Sequence, residues 1–435
     1  MKKSKDVLHK AFSLNLISLI IKSCIVGLLT GLLVSLFRWT IDQTLHYLQF
    51  IYPEMAHYPL LLIPYVIFMI VICVVLARII KDYEIDLVGS GVPQIEAIIN
   101  GKHSMNWIQI LWRKFIGGLL AICPGLLLGR EGPCIQMGAA IGQGISGIIK
   151  GKKEDQRTLL VCGIAAGLSA AFSAPLAGTM FLLEEIIFTF EPKICLTALT
   201  ASISADTVTV IFFGTKPCLY LPVTRNLPVK SYPIIIILSI ITGLLAYSYQ
   251  YCLLDLRWYF NKIKILPARY HSIIPLLLII PVGLYNPKLL GGSHLLINSI
   301  TSQIRFHNIN AVMIILLFYV IRFVFSMISY GSTVPGGIFM PILVLGSLWG
   351  NISAIVLIYF GLLPSTTFMN IIAITMAAYF GAVEMAPITS ILLITEMVGS
   401  IEQILPMTIG VYISYIVIDN LGGRPIYTAL REELF

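Results

Sequence analysis

Charged residues are scarce in this sequence of 435 amino acids. Lysine and arginine number 29 and aspartate and glutamate 21, so 11% of the chain is charged, against roughly 25% in an ordinary soluble domain. Hydrophobic residues make up 57% of the chain. The surface of a soluble protein of this length would need far more charge than this composition offers. Composition therefore excludes a soluble globular fold.

Several patterns that point to particular chemistry are also missing. The eight cysteines show no CxxC spacing and mostly stand singly in apolar stretches, and the seven histidines form no HExxH motif. We therefore expect neither disulfides nor a metal site, and the sequence predicts no cofactor. Alternating ten-residue strand patterns are absent as well, which argues against a membrane barrel.

Long apolar runs are present instead. Residues 59–80, 233–253, 311–330 and 401–418 each approach or exceed the ~20 residues that a helix needs to cross the bilayer core. Eight to twelve hydrophobic segments can be counted along the chain. The sequence predicts an all-α polytopic integral membrane protein, built as a single transmembrane domain over residues 1–435 with the lipid bilayer as its surroundings. The apolar stretch at 12–37 is too long for a signal-peptide core, so we expect it to be retained.

The net charge of +8 comes from basic clusters at the ends of apolar runs, at residues 2–5, 150–153 and 257–264. Positive loops of this kind report membrane topology. They give no reason to expect a nucleic-acid partner.

A weak internal repeat links two parts of the chain. An Ala-Pro pair ending at Pro175 is followed nine residues later by Glu184, and a second pair ending at Pro387 is followed at the same interval by Glu396. The glycine-rich turns GREGP and PGGIFMP, which end at Pro133 and Pro341, are related by nearly the same offset. Both offsets are close to half the length of the chain. Two concordant offsets predict a duplicated architecture.

The repeat predicts two halves, at about residues 12–215 and 216–435, of the inverted-topology type common in transporters. The matched elements are apolar segments interrupted by glycine and proline, which indicates broken or tilted helices around a site at the membrane midplane. The exposed N-terminal amides of broken helices carry partial positive charge. Such ends favour anions over cations.

Three motifs are candidates for that anion site. The first is GSGVP, in which serine can cap a helix or turn its hydroxyl toward an anion, and the second is GREGP, which places two charges in apolar surroundings. The third is GGIFMP, whose bare glycines let the backbone approach a ligand. The motif residues are Gly89, Ser90, Gly91 and Pro93; Gly129, Arg130, Glu131, Gly132 and Pro133; and Gly336, Gly337, Ile338, Phe339 and Pro341.

The charges of the second motif need a reason, because each costs roughly 2.5 to 3.5 kcal/mol on insertion. We expect Arg130 to pair with a carboxylate such as Glu96. Glu131 can complement the positive end of the helix that it begins, but a glutamate beside an anion-binding helix end can also occupy the position that the anion needs. Glu131 is therefore predicted to be a gate.

Two adjacent acids, Glu184 and Glu185, lie in the apolar segment FLLEEII. They would point to different sides of a helix. One can therefore be structural while the other exchanges protons.

A competing interpretation is an intramembrane serine protease, since residues 144–147 read GISG. In that case Ser146 would need a histidine partner. The candidates His271, His294 and His307 lack the surrounding small-residue helix pattern, and a four-residue match is weak evidence. We do not expect an enzyme.

The three motifs, in this order and with these gaps, strongly resemble the CLC family of chloride channels and chloride/proton exchangers, and the resemblance spans most of the chain. It implies that Ser90 and the amides of Ile338 and Phe339 contact the central chloride. Tyr427, in GRPIY, resembles the tyrosine that completes that site. Glu131 resembles the external gating glutamate. Glu185 resembles the internal proton-transfer glutamate of exchangers.

The match at Glu185 implies a chloride/proton antiporter, with a passive chloride channel as the alternative. Ser90 resembles chloride-selecting members, and Tyr427 fits chloride better than the fluoride-exporting branch. The resemblance further implies a homodimer in the inner, or plasma, membrane of a bacterium, without cytoplasmic CBS domains. Glu384, an extra acid just before the second Ala-Pro pair, has no role in this scheme, although it could perturb a subunit contact or the proton path.

Overall fold

The computed structural model describes residues 14–149, 153–219, 221–223, 227–303 and 309–435, and these residues form 18 α-helices. In chain order the helices are α1 Leu14–His57, α2 Leu62–Ile80, α3 Glu84–Leu87, α4 Val92–Ile99, α5 Trp107–Ile122, α6 Glu131–Ile149, α7 Lys153–Phe172, α8 Pro175–Phe181, α9 Pro192–Phe213, α10 Tyr232–Asn261, α11 Ile273–Tyr285, α12 His294–Gln303, α13 Asn310–Gly331, α14 Phe339–Tyr359, α15 Phe368–Glu384, α16 Pro387–Val398, α17 Ile404–Asn420 and α18 Ile426–Leu434. A π-helical turn, Leu182–Ile186, continues α8. The basic cluster at residues 2–5, residues 12, 150 and 152, and His307 lie outside the described residues.

Eight helical stretches within these ranges are long and apolar enough to cross a membrane. Three of the apolar runs noted in the sequence fall in the spans Pro59–Ile80, Val229–Phe260 and Asn310–Gly331, which confirms them. The fourth run, at 401–418, forms the shorter apolar helix Ile404–Asn420, because a turn occupies its first residues. The protein is an all-α polytopic membrane protein, as predicted.

Short buried helices interrupt the long ones. Helix α4 has eight residues and α8 has seven, and each carries a proline in its first turn, where the ring fits the helix and the missing amide costs nothing. Most of their side chains are buried. Their ends therefore lie inside the protein, which is the arrangement predicted from the interrupted segments.

Helices α6 and α7 pack with their backbones in contact. A methyl group on Gly138 would collide with the carbonyl oxygen of Gly163, and one on Gly163 would collide with that of Gly138. Small residues at a helix crossing allow this approach in membranes, where dispersion contacts hold helices together. The crossing fixes the direction of α6, and with it the position of Glu131 at the start of that helix.

The repeat noted in the sequence corresponds to paired contacts in the structure. Gly129 and Gly337, which hold equivalent positions in the two glycine-rich turns, exchange two backbone hydrogen bonds of 2.7 Å. Ala174 and Ala386 precede the two matched helices with similar dihedral angles, φ −138° and ψ 78° against φ −120° and ψ 77°. The matched positions thus lie opposite each other or adopt the same conformation. The division of the chain at residues 215 and 216 stays a prediction.

The two glutamates of the repeat exchange helix caps. Glu184 accepts hydrogen bonds from the amides of Ile388 (3.0 Å) and Thr389 (2.7 Å) at the start of α16. Glu396 accepts from the amides of Leu176 (3.0 Å) and Ala177 (2.8 Å) at the start of α8. The carboxylate of Glu184 therefore meets the positive end of α16, which contains Glu396, and the carboxylate of Glu396 meets the positive end of α8, which leads into the turn with Glu184.

Candidate functional site

The three glycine-containing motifs meet through their backbones. The amide of Gly89 donates to the carbonyl of Val334 (2.9 Å), and the amide of Gly336 donates to that of Gly89 (3.0 Å). Gly129 and Gly337 form the second bridge, described above. Segments far apart in the chain are therefore joined at one place, which is where the helices α4, α6 and α14 begin.

Close backbone approach explains two of the motif glycines. A methyl group on Gly132 would lie 2.6 Å from Cβ of Ser90, so the start of α6 is pressed against that serine. Gly91 has a φ of 90°, a left-handed conformation that glycine adopts without strain, and it turns the chain into α4. The hydroxyl of Ser90 accepts a hydrogen bond from the amide of Val92 (3.3 Å). Ser90 is thus held at a helix start with its own hydroxyl hydrogen available.

The carboxylate of Glu131 lies over Gly129, at the N-terminus of α14. A methyl group on Gly129 would overlap Oε2 of Glu131 and would lie 3.1 Å from the amide nitrogen of Met340. The carboxylate faces the amides of Met340 and of Glu131 itself. Neither oxygen makes a hydrogen bond of full geometry among the described residues, and the residue is completely buried. A negative group therefore rests beside free helix-end amides without being locked to them.

Aromatic rings define the other wall of the site. Phe339, the first residue of α14, stacks on Tyr427 with ring centroids 6.1 Å apart, and Phe181 lies edge-on to both rings. The hydroxyl of Tyr427 is buried and makes no hydrogen bond of full geometry in the described parts of the chain. The first amides of α14, at Ile338 and Phe339, have no carbonyl of their own helix to donate to. A buried hydroxyl and free amides together form a cradle that suits a small anion.

Helix α18, which carries Tyr427, is fastened to α4, which follows Ser90. Arg431 donates to the buried carboxylate of Glu96 (3.1 Å), and the hydroxyl of Thr428 donates to it as well (3.4 Å). These contacts hold Ser90 and Tyr427 on elements that pack against each other. They also correct the expectation that Glu96 would pair with Arg130.

Arg130 pairs with Asp42 on α1 instead. Nη1 of Arg130 donates to Oδ1 of Asp42, and Nη2 lies 3.3 Å from Nε2 of His294. In the turn before α6, the side chain of Arg130 points toward α1, the helix that carries Asp42. Arg130 therefore lines the approach to Glu131 and acts on its carboxylate electrostatically.

A cavity of about 380 Å³ adjoins the crevice that contains Glu131. Four basic residues line this cavity, and we call it the basic cavity. These residues are Arg38, Arg130, Lys216 and Lys288. The acidic residue in its lining is Asp42, which already pairs with Arg130. A narrow crevice that includes Glu131 and Met340 shares Asp42, Leu45, Arg130 and His294 with it. Basic linings of this kind concentrate anions at the entrance.

A second cavity, of about 990 Å³, approaches the site from the Gly89 side, and we call it the Gly89 cavity. Its lining includes Tyr330 and Thr333. Just behind it lies the buried amino group of Lys114, which donates to the carbonyls of Leu87 and Gly89 (2.9 Å each). The two cavities share no lining residue and reach the motif cluster at different residues, Arg130 in the basic cavity and Gly89 in the Gly89 cavity.

The acids of FLLEEII separate as expected from the sequence. Glu184 caps α16, as described above, and is structural. Glu185 is buried, and its carboxyl group lies within electrostatic range of Glu96 and Glu384. Both lie in the π-helical turn Leu182–Ile186, a distortion that is often found at functional sites.

Three residues around the site were missed in the sequence: Lys114, Asp42 and Gln250. Lys114 and Asp42 each place a charge in an apolar stretch, a signal that could have drawn attention to them. Gln250 donates to the carbonyls of Val383 (3.0 Å) and Arg424, and so joins α10 to the ends of two other segments. Its partners lie far away along the chain, so no local pattern reveals it.

The contacts of Ser146 are those of an ordinary helix residue. Its hydroxyl donates to the carbonyl of Gln143 in its own helix (2.7 Å). Two of the proposed histidine partners have other neighbours: Nε2 of His271 lies 3.0 Å from the carbonyl of Leu266, and that of His294 lies beside Arg130.

Comparison with known sequences identifies the family. The sequence profile described as voltage gated chloride channel matches residues 72–419. The chain belongs to the CLC family. The match contains all three motifs, and the CLC fold accounts for the broken helices that meet at the cluster.

Individual CLC proteins support the assignment. The chain is 35% identical over 363 residues to the H(+)/Cl(−) exchange transporter ClcA of Vibrio cholerae serotype O1, with 79% of this chain and 74% of that protein aligned. It is 31% identical over 439 residues to ClcA of Vibrio vulnificus, with coverages of 96% and 90%. The crystal structure of a slow cyanobacterial Cl⁻/H⁺ antiporter, 30% identical, superposes with a TM-score of 0.88 and coverages of 95% and 97%. These relatives are transporters.

Proposed function

We propose that this CLC protein exchanges chloride for protons across a membrane. The observation that supports the proposal most directly is the position of the Glu131 carboxylate against the first amides of α14, where a chloride ion would also bind. The exchange activity that the names of the ClcA relatives state agrees with it. The residue roles below are part of the same proposal.

Chloride reaches the site from either cavity. The chloride ion accepts hydrogen bonds from four groups, because each presents a hydrogen at the motif cluster. These groups are the hydroxyls of Ser90 and Tyr427 and the amides of Ile338 and Phe339. The basic cavity attracts the anion without binding it tightly, since its charges lie apart from the cradle. Gly89, Gly91, Pro93, Gly129, Gly132, Pro133, Gly336, Gly337 and Pro341 shape the backbone of the site.

Exchange follows from exclusion between two negative groups. While charged, Glu131 occupies the amide cradle and chloride cannot pass. Protonation removes that charge and frees the position, and chloride arriving from the other side displaces the carboxylate toward the proton source. Glu185, which is buried within electrostatic range of Tyr427, passes protons from the Gly89 side through water. No large domain motion is needed.

The test is a paired flux assay on purified protein in liposomes with opposed chloride and proton gradients. Wild type should move protons uphill when chloride runs downhill. Glu131→Gln and Glu185→Gln should each keep chloride flux and lose proton flux, whereas Glu402→Gln, at an exposed acid between α16 and α17, should keep both. A voltage that follows the chloride gradient alone in wild type would identify a passive channel and refute the exchange.

Chloride binding provides a separate test of the cradle. Tyr427→Ala removes both the hydroxyl and the ring that stacks on Phe339, so chloride affinity measured by calorimetry should fall and coupling should loosen. Unchanged affinity in a folded variant would remove Tyr427 from the site.

We further propose that the protein works as a homodimer with one pathway in each subunit, in the bacterial inner membrane. The bacterial sources of the ClcA relatives support the proposed membrane, and the family resemblance is the ground for the proposed homodimer. We expect it to need no cofactor.

A further inference from the structure

The proposed exchange leaves one fully buried acid without a role. Glu384 is the last residue of α15, and its side chain is 0% exposed. Neither carboxyl oxygen makes a hydrogen bond of full geometry with any described residue. A fully buried acid without a basic partner is costly, so its presence at this depth needs an explanation.

Two phenylalanines place Glu384 and Glu185 near the aromatic ring of Phe339. Phe380 precedes Glu384 by one helical turn and lies 4.9 Å from Phe339, and Phe181 precedes Glu185 by the same interval and lies 5.4 Å from Phe339. Residues four apart share a helix face. Both acids are therefore directed toward the stacked rings of Phe339 and Tyr427.

Hydrogen bonds fix this end of α15 to the segment that carries Tyr427. Gln250 donates to the carbonyl of Val383, directly before Glu384, and to that of Arg424. Its side-chain oxygen accepts from the amide of Arg424 (3.2 Å). The carboxyl group of Glu384 consequently stays beside the phenol of Tyr427, whose hydroxyl lacks any other partner in the described structure.

The ionisable groups that face Glu384 come from four elements. Glu185 lies in the π-helical turn, Glu96 on α4, Tyr249 on α10 and Tyr427 on α18. Of these, Glu96 is compensated by Arg431. Neighbouring carboxyl groups that interact strongly share protons as a set, so a proton bound to Glu185 has an acceptor in Glu384.

We propose that Glu384 accepts the proton that Glu185 releases, before that proton passes on through water to Glu131, and that it sets the direction of the Tyr427 hydroxyl. The O–H bond of protonated Glu185 breaks and an O–H bond forms on Glu384, which leaves Glu185 as a carboxylate. Charged Glu384 accepts the phenol hydrogen. Protonated Glu384 donates its own hydrogen to the phenol oxygen, so the phenol hydrogen turns to chloride. A proton on Glu384 and chloride in the cradle thereby favour each other.

This inference rests on the proposed exchange, and its first test separates the two. Glu384→Gln should keep chloride flux in liposomes and lower proton flux about tenfold or more, because the amide cannot carry the proton. Glu384→Asp should recover part of the proton flux, and Glu402→Gln should match wild type. Full proton flux in Glu384→Gln would overturn the role of Glu384 and leave the exchange intact. Absence of proton transport in wild type would refute the exchange itself.

The second test leaves Glu384 unchanged, so it does not depend on how variants at that position fold. In the double variant Glu131→Gln, Glu185→Gln, chloride affinity measured by titration calorimetry should still fall as pH rises, by at most about tenfold per pH unit for one linked proton. Adding Tyr427→Phe should flatten this dependence, because the phenol hydrogen transmits it. A pH-independent affinity in the double variant, or a slope that survives Tyr427→Phe, would overturn the proposal.

Discussion

Gly129 tests the position of the gate without altering the gate residue. In Gly129→Ala the new methyl group would overlap Oε2 of Glu131, while its backbone neighbours, the amide nitrogen of Met340 and the carbonyl oxygen of Gly337, would lie 3.1 and 3.3 Å away. The end of a flexible side chain moves more easily than backbone. We therefore expect the carboxylate to leave the cradle while the fold persists.

The size of the effect follows from the cost of overpacking, about 1 to 3 kcal/mol. A cost in this range lowers occupancy of the cradle by Glu131 by about 5- to 150-fold. Chloride should then bind more tightly and leak without protons. The assay is chloride affinity by calorimetry together with the ratio of chloride to proton flux in liposomes.

Gly147→Ala is the matched control, because Gly147 lies on α6, the helix that begins two residues after Gly129, and its added methyl group would meet no atom within 4 Å. It should bind and couple like wild type. If Gly129→Ala folds and shows wild-type chloride affinity and coupling, the carboxylate does not occupy the cradle and the competition between Glu131 and chloride is wrong.

Two further predictions concern the helix caps and the basic cavity. Glu184→Gln and Glu396→Gln should each lower stability by about 0.5 to 2 kcal/mol, seen as earlier thermal unfolding in detergent, because each weakens a cap on two helix-end amides; melting temperatures equal to that of Glu402→Gln would contradict this. Lys216→Glu and Lys288→Glu should slow chloride flux at low ionic strength and have less effect at high ionic strength, since screening shortens the reach of surface charge. A salt-independent decrease would show that these lysines act by contact and not by attraction at a distance.

The fold class and the meeting of the motifs were predictable from the sequence. Apolar runs of sufficient length predict spanning helices, and the interrupted segments predict helix ends at membrane depth. The offset between the two glycine-rich turns makes Gly129 and Gly337 equivalent positions, and the structure shows that these two residues also exchange backbone hydrogen bonds. These features depend on local composition or on internal similarity, which a sequence shows directly.

The partners of the buried charges were not predictable in the same way. Arg130 was expected to meet a carboxylate and does so, but that acid is Asp42, 88 residues earlier on α1, and not the suggested Glu96. Glu96 binds Arg431, which is more distant still. The choice of partner for each buried charge depends on how the helices pack against each other. The spacing of residues along the chain does not reveal that packing. For the same reason Glu384 had no role until its neighbours were known.

The exchanged caps of Glu184 and Glu396 have the geometry of a twofold contact, in which each side gives what it receives. In a protein of half this length, one glutamate per copy would supply both helix caps at the interface of a symmetric dimer. Joining two copies into one chain would keep this contact between the two halves and let the sequences of the halves diverge. The acid that follows Glu184 and the acid that precedes the second Ala-Pro pair show such divergence, because the equivalent positions of the repeat hold Met397 and Phe172.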